Sequence, residues 1–200
     1  MAACITLLAT LDSSYDDAAQ RTARALAKQM CDKGEMLACL TLARYAESGT
    51  GGDIDQALQR ATLINACNAG GYSACPRASS MASGGDGGPQ DVALANALAT
   101  TGCDGGNSVS CQTVAEMLIS EGWAATNEEE TEAKWQAARV AYARACELGD
   151  NYSCTAWADL LIEGRGGPAD QETGRKLLAD ACASDFYQCQ SQLKAEGLEN

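Results

Sequence analysis

The chain has 200 residues, with 27 acidic against 14 basic side chains, no histidine and a net charge of -13. A surface of that sign repels a nucleic-acid backbone and an anionic membrane, so neither is an expected partner, whereas a basic protein is compatible with it. Without histidine, the Ser-His-Asp, Cys-His and H-E-x-x-H catalytic arrangements are excluded. Alanine, leucine and glycine dominate, with one phenylalanine and three prolines. Helices of small residues punctuated by glycine are therefore expected in place of a β-sandwich, and the fold class is all-α. No apolar run approaches the roughly 18 residues that a membrane span needs.

Eleven cysteines give the chain a period. Cys31/Cys39, Cys67/Cys75, Cys103/Cys111 and Cys146/Cys154 each enclose seven residues, and Cys182/Cys189 is one residue tighter. First members of successive pairs are 36, 36, 43 and 36 residues apart. A fixed period of this kind marks an array of like units stacked on one core. Regularly spaced cysteines predict a disulfide framework and an oxidising compartment, periplasmic or extracellular. A zinc array is the competing reading; it fits less well, because zinc ligands usually lie two to four residues apart and often include histidine. No metal and no cofactor is expected.

Residues 1–15 read as the second half of a truncated or capping repeat. Cys4 lies 27 residues before Cys31, close to the 28 between Cys39 and Cys67, Cys75 and Cys103, or Cys154 and Cys182. It thus falls where the second cysteine of a pair belongs and is expected to be unpaired, its partner lying upstream of Met1. A reactive free thiol and a lipidated cysteine are the rival readings. The start MAACITLLATLDSS lacks a basic n-region and a full signal peptide, so any export signal is expected to have been removed or never present.

The first full repeat, 16–52, opens with DDAAQRTARALAKQMCD, where Ala19, Ala23, Leu26, Ala27 and Met30 form one helical face. Asp16 and Asp17 suit its first turn. Gly34 sits three residues beyond Cys31, where a helix ends in a left-handed residue, and Gly70, Gly106 and Gly149 hold the same place. A second helix is predicted from about Leu37 to Ser48, with Leu42, Ala43, Tyr45 and Ala46 facing inward and Gly49 as terminator. The links GTGGD, GGDGGP and GRGGP follow such second helices. Each cysteine pair then spans an antiparallel helical hairpin at a distance that an ordinary disulfide can bridge.

The second repeat covers 53–89 and the third 90–130, where the period lengthens by seven residues within EGWAATNEEETEAKW. This insert places Glu128, Glu129, Glu130 and Glu132 between Trp123 and Trp135. Insertions in repeat proteins often map to a binding face. The plainer reading is an acidic, solvated first turn of the next helix with both tryptophans packed inward. A fourth repeat follows at 131–168, and 169–200 forms a fifth repeat with a C-terminal cap, in which Asp185 replaces the terminator glycine.

The segment LARYAESGTGGDIDQALQRATLINACNAG (42–70) and its echo at 156–183 resemble Sel1-like repeats, a subclass of tetratricopeptide-like helical hairpins. The resemblance lies in the mixed small and large apolar residues of the second helix, the G-x-G-G-x-x-D link (Gly49, Gly51, Gly52, Asp55; Gly164, Gly166, Gly167) and the alanine-rich helix that follows. With its cysteine pairs, the chain is similar to the disulfide-rich type exemplified by the Helicobacter cysteine-rich proteins. It departs from the pattern at the seven-residue insert, at Pro76 and in the glycine-poor last unit. The resemblance implies an α/α solenoid, a right-handed superhelix of antiparallel helix pairs each crosslinked by a disulfide, in the bacterial envelope or outside the cell.

Such proteins mostly act as adaptors, which implies a non-enzymatic module binding a protein through its concave helical surface, with a monomer as the expected state. First-helix positions Arg21, Arg24, Gln56, Gln59, Arg60, Asn96, Arg139 and Arg175 are expected to be exposed and to contribute to that surface, beside Trp123, Glu128, Glu129, Glu130 and Trp135. Some relatives resemble periplasmic immunity proteins that neutralise a toxic effector. Others are linked to penicillin binding, and here Ser191-Gln-Leu-Lys194 matches S-x-x-K, so a penicillin-binding protein or weak β-lactamase is an alternative reading, although the S-D-N and K-T-G companions are absent. No C-x-x-C motif suggests a redox-active pair. The sequon at Asn151-Tyr152-Ser153 carries no weight outside a eukaryotic secretory route.

Overall fold

A computed structural model describes residues 10–11 and 16–184. Nine α-helices and no strand occur among the described residues: α1 (Asp17–Cys31), α2 (Met36–Ser48), α3 (Gln56–Asn68), α4 (Cys75–Gly84), α5 (Val92–Asp104), α6 (Ser108–Ala124), α7 (Glu128–Glu147), α8 (Asn151–Glu163) and α9 (Gln171–Ser184). The helix starts are written in short polar side chains. Asp16, Asp55, Asp91, Asn107, Asn127 and Asp150 each accept a hydrogen bond from the backbone N–H three residues on, which satisfies a donor that the helix itself leaves open.

Gly34, Gly70, Gly106 and Gly149 adopt φ between 83° and 92° after the cysteine-bearing helices, as the sequence predicts. Gly49, Gly85 and Gly164 close α2, α4 and α8 in the same left-handed conformation. Pro76 does not break its hairpin. A short 3-10 turn, Tyr72–Ala74, leads into α4, and the proline occupies the first turn, where its missing N–H costs nothing.

The predicted bridges join the last turn of one helix to the start of the next. Cys31–Cys39, Cys67–Cys75 and Cys146–Cys154 have Cα separations of 4.6, 5.0 and 4.6 Å, within the ordinary range. Cys103, Cys111 and Cys182 are disulfide-bonded as well. Cys4 and Cys189 lie outside the described residues.

The helices fall into two compact units, one up to Gly105 and one from Gly106. In the first, Ala23, Ala27, Leu42, Tyr45, Leu63, Met81 and Leu98 form a continuous core with the bridged cysteines. The abundance of alanine there brings helix backbones close together, and Leu42, Tyr45 and Met81 supply most of the bulk. In the second, Ala115, Trp135, Tyr142 and Leu160 make one cluster, and Ala158, Leu178 and Cys182 another.

Each glycine-rich link docks on a first helix through two recurring contacts. A Cβ on Gly51 would stand 2.3 Å from the Gln20 carbonyl oxygen, and one on Gly87 2.2 Å from that of Gln56; Gly166 meets the Trp135 backbone in the same way. These three positions have backbone against backbone and φ near 70°, so only glycine fits. One turn further along the helix, an arginine reaches across to a link carbonyl: Arg24 to Asp53 at 2.9 Å, Arg60 to Pro89 at 2.8 Å and Arg139 to Pro168 at 3.1 Å. Each of these bonds spans 29 residues of chain.

The seven extra residues do not loop out between helices. Helix α6 has 17 residues where α2 and α8 have 13, and α7 has 20 where α3 has 13. Only 125–127 separate α6 from α7. The added length is therefore a longer hairpin.

Candidate functional site

The prolonged part of the α6–α7 hairpin, residues 121–135, gathers the aromatic and acidic residues singled out in the sequence. Trp135 stands where α3 and its counterparts begin, and its side chain is 5% exposed. Its indole Nε1 is buried without a hydrogen-bond partner, pressed against Gly122, where an added Cβ would lie 2.6 Å away. A side chain at 122 would displace the ring. The expectation that both tryptophans pack inward holds for Trp135 alone, because Trp123 is 67% exposed.

Trp123 is nonetheless fixed. Its ring meets that of Trp135 edge-on, with centroids 4.9 Å apart and planes at 77°, a favourable arrangement for the two ring quadrupoles. The guanidinium of Arg165, from the link after α8, lies 4.4 Å from the Trp135 centroid and 5.3 Å from that of Trp123. Both are cation–π distances. Glu163 holds this arginine by an ion pair at 2.6 Å.

On the same hairpin, Lys134 and Glu121 pair at 2.5 Å from one helix to the other. The hydrogen bond from Lys134 to Glu121, reinforced by the same carboxylate's charge, raises the lysine above its ordinary 10.5. An open recess of about 310 Å3 lies here, lined by Glu121, Ala124, Ala125, Thr126, Glu130 and Lys134. Asn127 caps α7 by accepting from the Glu130 N–H at 2.8 Å, and its amide donates to the Glu130 carboxylate at 3.3 Å, a reciprocal cap. Glu128, Glu129, Glu130 and Glu132 are exposed in the first turns, where the helix dipole favours negative charge. The hairpin thus presents a rigid aromatic in water beside a run of carboxylates.

Two first-helix positions expected at the surface are not there: Gln59 is 4% and Arg60 8% exposed. The guanidinium of Arg60 is drawn inward by the Pro89 carbonyl. Arg24 and Arg139 are half-buried for the same reason, Asn96 is half-buried, and Arg21, Gln56 and Arg175 are exposed. What sequence reasoning misses is the link-holding role of Arg24, Arg60 and Arg139; their shared place seven residues before Cys31, Cys67 and Cys146 is the available signal. Ser191 and Lys194 lie outside the described residues.

Comparison with models of known families finds no match, and neither does comparison with curated protein sequences. Solved structures do match. One is c5321, a protective antigen present in uropathogenic Escherichia coli strains and displaying an SLR fold, with a TM-score of 0.71 and 20% identity over 88% of this chain and 36% of that one. Another is a Sel1 repeat protein from Oxalobacter formigenes, with a TM-score of 0.71 and 18% identity over 88% of this chain and 49% of that one. The chain has the Sel1-like repeat fold. It spans between about a third and a half of the length of those two Sel1-like repeat structures. The Sel1-like hairpins here carry disulfides at their turns, which point to an oxidising compartment. No helix among the described residues is long and apolar enough to cross a membrane.

Proposed function

We propose that the chain is a non-enzymatic protein-binding module of the bacterial periplasm or cell exterior, and that its prolonged hairpin engages a basic segment of the partner. The observation that carries this reading is Trp123, two-thirds exposed yet held by Trp135 and Arg165. An immobilised tryptophan in water loses little conformational freedom on binding and offers a large area to bury, which is why tryptophan dominates interface energetics. The neighbouring carboxylates of Glu128 and Glu129, within a chain of net charge -13, steer a cationic partner towards it. Arg60 and Arg139 serve the fold in this reading, and the tryptophan surface does the binding.

The test is affinity capture from the native cell envelope, comparing the wild-type chain with Trp123→Ala and with the double reversal Glu128→Lys/Glu129→Lys. A basic protein retained by the wild type and lost from both variants supports the reading. An unchanged set of captured proteins overturns it.

A further inference from the structure

In the unit that ends at Gly105, a groove of about 230 Å3 runs between α1, α2 and α3. Arg21, Arg24 and Lys28 line one side, Ala25 and Leu58 contribute apolar surface, and the buried Leu42 closes the floor. The three cations stand three and four residues apart, on one face of α1. Among the described residues no carboxylate lines the groove, although acidic side chains outnumber basic ones 27 to 14 in the chain.

Comparison within the chain separates the charges the fold needs from those it does not. The position of Arg24 is arginine again at 60 and 139, where the side chain holds the following link. The position of Arg21 is Ala57, Ala93 and Gln136 in the corresponding helices, and that of Lys28 is Ile64, Thr100 and Ala143. Those helices fold without positive charge at either place. Arg21 is exposed, and the ion pair of Lys28 with Asp32 joins two side chains that are each 58% exposed, a contact of little stabilising value. Arg21 and Lys28 are surplus to the architecture.

We propose that this groove binds an acidic segment of a protein partner, with a carboxylate held between Arg21 and Lys28 and a neighbouring apolar side chain lying against Ala25 and Leu58. Arginine suits this role because its planar donors match a carboxylate, and the apolar surface beside it lowers the local dielectric and strengthens the pairing. The surface is independent of Trp123 and opposite to it in sign. Each can fail without the other.

The experiment measures fluorescence anisotropy of a labelled Gly-Leu-Glu-Leu-Glu-Gly peptide at low salt, beside a control in which both glutamates are glutamine. The acidic peptide binds, and the control binds about tenfold more weakly. Arg21→Gln/Lys28→Gln weakens the acidic peptide by about the same factor with unchanged thermal melting, while Trp123→Ala has no effect. On the wild type, amide resonances of Ala25 and Leu58 shift on titration with the acidic peptide. Absence of saturable binding, equal binding of the two peptides, or an unaltered affinity in the double variant overturns the proposal. So does binding of phosphatidylglycerol vesicles or a single-stranded oligonucleotide through Arg21 and Lys28 when the peptide does not bind.

Discussion

Arg60 donates from Nη1 to the carbonyl oxygen of Pro89 at 2.8 Å, fastening the second turn of α3 to the link that follows α4. The arginine is 8% exposed, so its removal leaves a carbonyl without its charged donor and a void along the helix. Arg60→Ala is expected to lower the unfolding free energy by about 2 kcal/mol. Arg139→Ala, at a more solvated position, costs less. Urea denaturation of both variants checks the order.

Glycines with the same backbone conformation are expected to differ in what they tolerate. Gly34→Ala meets nothing within 4 Å at φ 85°, so only the conformational penalty applies, about 1 kcal/mol. Gly87→Ala places a methyl 2.2 Å from the Gln56 carbonyl oxygen and must push the link off α3. Its cost is expected to exceed about 3 kcal/mol. Parallel thermal melts distinguish the two cases.

The two tryptophans should separate stability from binding. Trp135→Ala empties a buried site and is expected to cost about 3 to 5 kcal/mol. Trp123→Ala removes an exposed ring and should change stability by less than about 1 kcal/mol, while abolishing capture of the partner. Chemical denaturation and affinity capture on the same preparations make the comparison.

Asp170 accepts a hydrogen bond from the Thr173 N–H at 3.0 Å at the start of α9. That backbone bond, followed by the Thr173 side chain, holds its carboxyl below the ordinary 3.8. A lowered carboxylate stabilises the fold above its unfolded value, and the contribution is lost as the pH falls below 3.8 and through the folded value. Amide protection in α9, taken relative to the intrinsic exchange rate at each pH, should therefore fall on acidification. Asp170→Asn keeps an acceptor for the cap and should remove the contribution of this group to the pH dependence.

The Cys67–Cys75 bridge closes a short loop and is fully buried. The double substitution to serine is expected to cost roughly 2.5 kcal/mol by the chain-entropy model. In the wild type, reductant should act only after local opening, so the reduction rate should rise with subdenaturing urea. Thiol labelling followed by mass measurement gives that rate.

Much of this architecture is legible in the sequence, because the features that set it are local. Cysteines eight apart, a glycine three residues beyond the first of each pair except in the last unit, where Asp185 stands instead, and an aspartate before most first helices place the turns and caps wherever they occur. The candidate site is only half legible. Counting on the period finds the extra length around Trp123 and Trp135, and the acidic run reads correctly as the first turn of the next helix, but the lengthening of α6 to 17 residues is not foreseen. The burial of Arg60 escapes a local reading because its acceptor, Pro89, lies 29 residues away. Counting can still suggest the link. The residue in step with Arg24 and Arg60 is Asn96, and the one in step with Gly51 and Gly87 is Trp123, so both parts of the fastening change together. Which tryptophan faces water depends on Gly122 and Arg165, which no periodicity reports.

The growth of α7 from the usual 13 residues to 20 is close to two full turns at 3.6 residues per turn, so the added segment is rotated by only about 20° from the original stripe. An insertion of five residues in α7 would swing its added first turns, with Glu128 and Glu129, towards the opposite face. A first helix of this kind is therefore free to lengthen by a heptad without disturbing what is already packed. A fold that grows by such steps can acquire a new recognition surface while leaving the old core untouched.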